Sequence, residues 1–483
     1  MQKKLALTII IAILVGSISV FALTLHPQPS ETEHKTIVVP DDFRTIQGAI
    51  DNADLGDTIY VKAGIYEENI LVNKSVSLIG ESRENTVVNG NNQGSVMTLL
   101  ADNISIAGFT LENSGPRWAE GGIEMENVSY CNISDNYVTT NQFGVWAESS
   151  TDNIISKNSF SNDGYGIGLY SSSDSNSISE NNVTGSGHAG ILLAACDNTN
   201  VSENNLTSNE FSVELITSSN NTILGNDVTN SSNGIAIFDS SNQNEIAENN
   251  IENNGWGLEM RMSTDNTIDH NNFVDNAPQV YFFDQNYSNV WDIGYPGGGN
   301  YWSNMNSTDL QSGPFQNETG SDGIADSPVT FNSYNEDHYP LMGKFQDFPI
   351  ITPRSTGSTD KVDVISNFTV SNLSYQTWPN SSTPHIQQGQ PLILIEIKSL
   401  KTESQTTGFC LLMITRTILN SSTYQVLLDW NPVNFAQLKT TNGTIDYLYF
   451  TFKESSHEIA ITTPEFKSIN AVALTDDERL FFS

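Results

Sequence analysis

The feature that most constrains the fold is a repeat of 22 or 23 residues through the middle of the chain. Its first apolar column is Ile133, Ile155, Ile178, Val201, Ile223, Ile246 and Ile268. Two further apolar columns follow within each repeat, beginning at Val138 and Val145. Because the spacing is nearly constant, each repeat must supply one unit that stacks on copies of itself.

The repeat consists of short strands and turns. Its apolar runs alternate with period two, favour Ile and Val, and are separated by Asn, Ser and Gly, whereas a leucine-rich repeat needs a leucine-dominated strand and a helical return. Strands stacked about 4.8 Å apart form a parallel β-helix. We therefore predict an all-β protein with a right-handed parallel β-helix of about ten or eleven coils.

Asparagine occupies one turn position of the repeat, three residues after the first column. Buried turn amides need partners, and stacked Asn side chains can bond to one another and to the turn backbone. We interpret this column as a structural ladder: Asn136, Asn158, Asn181, Asn204, Asn226, Asn249 and Asn271.

The first 24 residues are predicted to be a signal peptide or an N-terminal anchor. Two lysines precede an apolar run from Leu5 to Leu25, with small residues around Ala22. The run is also long enough to span a bilayer, so cleavage and retention both fit, and we favour cleavage. The protein is thus expected to be exported, to the cell surface, the medium or a periplasm, with membrane contact only through this segment.

Three further segments are predicted, and the first has a cap at each end. A helix over about Phe43 to Ala53, capped by Asp41 and Asp42, opens the β-helix, and an aromatic, Gly-rich segment after Val280 closes it. The segments are the β-helix with its two caps at 37–345, a linker at 346–361 and a sandwich-like all-β domain at 362–483.

Composition limits the partners. The chain has 56 acidic and 20 basic residues, a net charge of -36, which repels nucleic acid. We expect a monomer whose partner is an extracellular or cell-surface polysaccharide or glycoprotein. Cys131, Cys196 and Cys410 are too few and too widely spaced for a disulfide framework. Asn-x-Ser/Thr sequons are abundant, but a chain this rich in Asn and Ser produces many by chance, so glycosylation stays open.

Three stretches carry a family resemblance. The start "TIQGAIDNADLGDTIYVKAGIYEENILVNKSVSLIGE", the repeats, and the end "GNYWSN", "DGIADSP" and "DHYPLM" together resemble NosD-like β-helix proteins of the pectin-lyase-like superfamily. The resemblance covers about residues 37–345. The superfamily implies carbohydrate binding or polysaccharide cleavage, and the founding member implies periplasmic accessory work in copper maturation of nitrous oxide reductase.

The third apolar column points inward, so residues one and three later should point outward on one sheet. Exposed rings beside acids and an arginine are the ingredients of a sugar groove. The candidate sugar-binding residues are Trp146, Tyr170, Phe238, Arg261 and Phe283. The alternative is that a loop or the C-terminal domain covers this face.

Catalysis is the less favoured hypothesis. Glu214 and Glu259 lie two coils apart in one outward column, about 9.6 Å, near the upper limit for an inverting carboxylate pair. The Asp clusters and Gly-His-Gly of polygalacturonases, the acids and basic residue of pectate lyases, and the paired Asp and Arg of pectin methylesterases are missing from the sequence.

Metals are considered at two places. Met260, Met262 and His270 are the nearest approach to a copper motif, but Met260 falls at an inward position. Glu318, Asp322 and Asp326 are candidate calcium ligands in the acidic terminal segment, and no other cofactor is predicted.

The sequence thus predicts an exported, two-domain, all-β protein whose β-helix is a carbohydrate-binding or structural rod. Two alternatives stay open. One is a polysaccharide lyase or hydrolase that uses the outward carboxylates, and the other is a NosD-type accessory protein in copper-site maturation.

Overall fold

The computed structural model describes residues 34–352, 360–378, 385–398, 407–440, 443–453 and 455–464. The predicted signal peptide or anchor at 1–24 lies outside these residues. Within the described ranges, the structure has no helix of the length and apolar character needed to cross a membrane.

Three parallel sheets, which we call A, B and C, wind around one another as a β-helix of eleven coils. Sheet A contains Thr36–Val39, Thr58–Val61, Ser77–Gly80, Ser105–Ala107, Asn132–Ser134, Ile154–Ser156, Ser177–Ser179, Asn200–Ser202, Thr222–Leu224, Glu245–Ala247 and Thr267–Asp269. Sheet B contains Gly64–Tyr66, Thr86–Asn89, Thr110–Glu112, Tyr137–Thr139, Ser159–Ser161, Asn182–Thr184, Asn205–Thr207, Asp227–Thr229, Asn250–Glu252, Asn272–Val274 and Tyr301–Trp302. Sheet C contains Ile70–Val72, Met97–Leu99, Gly121–Glu126, Phe143–Glu148, Tyr165–Tyr170, Ala189–Ala194, Phe211–Ile216, Asn233–Phe238, Trp256–Arg261 and Val280–Phe282. The predicted all-β class and β-helix are confirmed.

The apolar columns stack inside the rod. Ile178 pairs with Val201, and Val201 pairs with Ile223, in consecutive strands of sheet A. All three side chains are fully buried in a single core that runs the length of the β-helix. Burying one such side chain contributes about 1.5–3 kcal/mol, so the repeated column is a main source of stability.

The asparagine column lies buried at the turn between sheets A and B. The backbone N–H of each ladder residue donates to Oδ1 of the Asn in the next coil at 2.9 to 3.1 Å, and the last, Asn271, donates to Asn300. Each side-chain nitrogen also reaches back to a carbonyl, as when Asn204 Nδ2 donates to Ile178 O at 2.9 Å. The preceding residue turns the chain in a left-handed conformation, with φ of 57° at Glu203.

Two further polar ladders occupy the other turns, and the sequence analysis missed both. The turn between sheets C and A stacks Asn153 on Asn176 and then Asn221, Asn244, Asn266 and Asn289, with Thr199 in the coil between Asn176 and Asn221. The turn between sheets B and C alternates residue types, which obscured it in the sequence, and stacks Asn141, Asp163, Ser186, Asn209, Ser231, Asn254 and Asn276.

Helix α1 (Ile46–Asn52) covers the N-terminal end of the rod, with Ile46 and Ile50 fully buried. It begins three residues later than predicted, and its cap is Thr45, whose hydroxyl accepts from Gly48 N at 3.1 Å. Asp41 and Asp42 were the wrong caps. They bind Lys62 Nζ and Val38 N instead, because a carboxylate from the next coil, Glu68, takes the free N–H groups of the first helical turn.

An aromatic cap closes the other end. Trp302 stacks on Phe273 at 4.4 Å between ring centroids, and its indole N–H donates to Asp337 Oδ2 at 2.9 Å. Two hairpins complete this cap: Gln311–Ser312 with Glu318–Thr319, and Val329–Asn332 with Asn335–Asp337.

Two five-stranded antiparallel sheets, D and E, face each other across an apolar core beyond the cap. Sheet D contains Lys344–Ile350, Asp360–Ser366, Thr407–Thr415, Ile445–Lys453 and Ala436–Leu438, and sheet E contains Thr369–Thr377, Pro391–Lys398, His457–Thr462, Gln425–Leu428 and Asn431–Pro432. A short helix, α2 (Arg416–Leu419), follows one strand of sheet D.

The predicted linker at 346–361 is wrong at both ends. Lys344–Ile350 is a strand of sheet D, and Asp360 begins the next strand. Residues 353–359 of the predicted linker lie outside the described ranges. The backbone N–H and C=O of Phe345 bond the side chain of Asn272 at 2.8 Å each, so this strand also holds the sandwich against the rod.

The aromatic face of sheet C as candidate functional site

A glycine near the start of most sheet C strands controls which side chains face outward. A Cβ on Gly144 would lie 2.5 Å from the Phe160 ring and 2.4 Å from Gly166 O. Only glycine fits so closely against the turn, and the strand bends there. The bend breaks the simple alternation of side chains between the core and the surface. The residue before the glycine and the residue two positions after the glycine therefore both face outward.

The bend creates an extra outward column of rings that strict period-two reasoning missed. Tyr165 lies 4.9 Å from the His188 ring, and His188 lies 5.5 Å from Phe211. Further along the rod, Trp256 stacks on Tyr281 at 4.7 Å. The signal was present in the sequence as an aromatic residue before the repeating glycine, as in "YGIG" and "WGLE".

One loop reaches over this surface. Trp118, between sheets B and C, contacts four rings edge-on at 5.2 to 5.9 Å: Phe143, Trp146, Tyr165 and Tyr170. It remains 58% exposed itself. We call the outward surface of sheet C the aromatic face, and its ring-bearing accessible residues are Trp118, Tyr165, Tyr170, His188, Phe211, Trp256, Tyr281 and Phe283.

The predicted sugar-binding residues lie on this face with different exposures. Trp146 and Phe238 are buried, so the prediction that they are exposed stacking platforms was wrong. Tyr170 stacks on Trp146 with 3.9 Å between ring centroids. Arg261 holds Asp239 with two bonds of 2.9 and 3.0 Å and lies 4.6 Å above the Phe238 ring, so its guanidinium already has partners. Phe283 is exposed and available.

Glu214 and Glu259 point outward but are covered by neighbouring side chains, so that only 5% and 3% of their surfaces are exposed. In the strand pairing, Ala236 lies between them. One carboxyl oxygen of each, Oε2, has no hydrogen-bond partner, although His188 Nε2 lies 3.5 Å from Glu214 Oε2. Burial raises the pKa of Glu214 above its usual value, and burial raises the pKa of Glu259 to about 7. Burial therefore favours the protonated form of both carboxyls, and Glu259 titrates near neutral pH.

The calcium prediction is not supported by the geometry of the cap. Asp322 accepts from the N–H groups of Gly313 and Ile324, and Asp326 accepts from Gln311 N at 2.8 Å. These donors occupy the oxygens that a cation would need, and Glu318 lies exposed in a hairpin strand.

The residues considered for copper do not fit that metal. Met260 is buried in the core, and both nitrogens of His270 are engaged, with Asp269 Oδ1 and Gly297 O at 2.9 Å each. The three cysteines are buried singly. In the part of the chain that the structure describes, no three His, Cys, Asp or Glu side chains are grouped to hold a metal ion.

The fold and this face define a parallel β-helix protein with an aromatic surface along its axis. Sequence comparison adds the family: residues 50–227 and 122–307 match the family described as "Periplasmic copper-binding protein (NosD)". These ranges cover more than half of the chain, which therefore belongs to the NosD family.

A cell surface glycoprotein of Methanothermus fervidus is 37% identical over 109 residues. The match spans 22% of this chain and only 17% of that glycoprotein. Together with the NosD family match, it identifies the chain as an exported β-helix protein.

The solved structures to which this chain is similar have low sequence identity. Tailspike protein 2 of bacteriophage CBA120 is 14% identical with a TM-score of 0.45, covering 90% of this chain and 73% of that one. The complex of XylC with xylose is 10% identical with a TM-score of 0.44, covering 54% and 71%.

Proposed function

We propose that this exported protein binds an extended glycan chain along the aromatic face. The observation that carries the proposal is the row of accessible rings along sheet C, with a gap at the coil of Asn233–Phe238, because aromatic rings bury the apolar faces of sugars. Coils repeat at about 4.8 Å, so the row offers a platform every few ångströms along the rod axis.

The charges favour an uncharged or amino-sugar glycan. Glu210 and Glu214 approach His188 on this face, and the whole chain carries a net charge of -36. A polyuronate would be repelled by this field, whereas hydroxyl groups could bond to the unpartnered oxygens of Glu214 and Glu259 once neighbouring side chains shift.

Replacing Trp256 with Ala should weaken glycan binding by at least about 1 kcal/mol, or roughly fivefold in Kd, because the ring stacked on Tyr281 is lost. A glycan array identifies the ligand, and titration calorimetry measures the affinity. The matched control is Tyr130→Ala, which removes an aromatic residue that is 64% exposed at a turn outside sheet C. Equal affinities for the two variants, or an array without any bound glycan, would remove the proposal.

Hydrolysis is a second candidate, favoured by one observation. Glu214 and Glu259 both have raised pKa values and lie two coils apart, so one could donate a proton while the other activates water.

If the protein cleaves its glycan, Glu259→Gln should abolish turnover while leaving affinity nearly unchanged. Reducing-end release from a bound oligosaccharide measures it. A parent protein that binds the oligosaccharide but releases no product would leave binding as the function.

A further inference from the structure

The outward surfaces of the three sheets differ in composition. Alternation in a strand places residues i and i+2 on the same side, so an outward Asn and a hydroxyl residue two positions later are presented together. Sheet B shows this pair at Asn182 with Thr184 and at Asn205 with Thr207; the two asparagines are exposed and the two threonines are partly exposed. The Thr207 hydroxyl lies 3.3 Å from Asn205 Oδ1.

Such a pair is the acceptor motif for N-linked glycosylation. Every rod asparagine that begins this motif is exposed or half-exposed: Asn73, Asn103, Asn127, Asn132, Asn182, Asn200, Asn205, Asn220 and Asn230. They lie on strands of sheets A and B or in turns. The buried ladder asparagines do not begin the motif, because the residue two positions after each is neither Ser nor Thr.

After the glycine, the sheet C strands have the same outward i, i+2 geometry, as at Trp146 and Glu148, yet none of the sheet C strands carries the motif. Asn233 is the one asparagine in the sheet C strands, and it is followed two positions later by the buried Ile235. The sequons that begin on rod strands therefore lie on sheets A and B, and the strands of the aromatic face have none.

We propose that this protein carries N-linked glycans on sheets A and B and the turns, with the aromatic face left bare. The donor is an oligosaccharide linked to a lipid phosphate on the exported side of the membrane. The Asn amide nitrogen attacks the sugar's anomeric carbon, forming a C–N bond as the C–O bond to phosphate breaks. The lipid phosphate leaves with the electron pair, and the amide gives one proton to a base of the transferring enzyme.

Two neighbouring coils contain their own control. Asn205 and Thr207 pair in register with Asp227 and Thr229, so the same outward position has Asn in one coil and Asp in the next. Cleavage after Glu203 and Glu210 also isolates peptide 204–210, which holds Asn205 beside two buried asparagines outside the motif, Asn204 and Asn209.

The test is glycopeptide mass spectrometry on the full chain, purified from its own cells or from a host that N-glycosylates exported proteins. Peptide 204–210 should gain a glycan mass located on Asn205, and sheet C peptides should keep their unmodified mass. Thr207→Val should abolish the added mass, Thr229→Val should leave it unchanged, and Asp227→Asn should create a new modified peptide.

Circular dichroism of each variant checks that the rod is folded, and the unsubstituted protein gives an answer that depends on no variant. Three results would overturn the proposal. The first is that all sequon-containing peptides are unmodified in cells whose other exported proteins are glycosylated. The second is an added mass on peptide 204–210 that persists in Thr207→Val. The third is a glycan on a sheet C peptide. Because the glycans are read by mass, this outcome is independent of whether the aromatic face binds sugar.

Discussion

Lowering the pH from about 8 to about 5 is expected to increase the free energy of unfolding of this protein. Burial raises the pKa of Glu259, Asp309 and Asp337 to about 7 and the pKa of Asp363 to about 8. In the unfolded chain these carboxyls titrate near pH 4. Between these values the folded state holds protons that the unfolded state has lost, so stability falls as pH rises.

Each such group changes the unfolding free energy by about 1.4 kcal/mol per pH unit within its window, and the change ends once pH exceeds the folded pKa. Urea unfolding at a series of pH values measures the slope. Asp337→Asn removes one titrating carboxyl, so it should reduce the slope by the contribution of one proton. The asparagine side chain keeps an oxygen that can accept from Trp302 Nε1. Stability that rises steadily from pH 5 to pH 8 would contradict the assignment.

Replacing Asn204 with Ala is expected to destabilise the rod by about 1 to 3 kcal/mol for each buried group left unpaired. Asn204 is buried, and its Oδ1 accepts from both Asn181 N and Nδ2 at 3.0 Å. Its Nδ2 donates to Ile178 O and Asn226 Oδ1 at 2.9 Å. Alanine cannot replace any of these bonds, and the tight turn leaves little room for water to do so.

The neighbouring residue supplies the control. Asn205 is exposed on sheet B, where water can replace its side-chain bonds to Asn182 and Thr207, so Asn205→Ala should change stability by less than about 0.5 kcal/mol. Both variants are compared by urea unfolding of protein made without glycosylation. A loss at position 205 equal to that at position 204 would mean that the ladder has no special role.

The predicted apolar columns and the asparagine ladder followed from the sequence because both repeat with the coil. One residue type at one position, such as the Ile178 and Val201 column, must meet its own copy in the next coil. The ladders at the other two turns were harder to recognise because other residue types interrupt the asparagines. Thr199 does so at the turn between sheets C and A, and Asp163 and Ser231 do so at the turn between sheets B and C.

The cap of helix α1 and the strand within the predicted linker both depend on residues that are distant in the sequence. Thr45 could cap helix α1 because Glu68, one coil away, satisfied the first helical N–H groups. Lys344–Ile350 became a strand because Asp360–Ser366 pairs with it across the sandwich. Neither partner is visible from the composition of the segment itself.

The repeat in the sequence by itself determined the β-helix, its inward columns and one turn ladder, because a residue in a solenoid contacts its own counterparts at fixed spacing. The tertiary structure alone decided which outward side chains are accessible. The glycine bend at Gly144 turned Phe143 outward, the loop carrying Trp118 covered Trp146, and close neighbours buried Glu214 and Glu259. Exposure depends on how bulky side chains from several coils pack across the sheet, and a repeat read along the chain carries no measure of that packing.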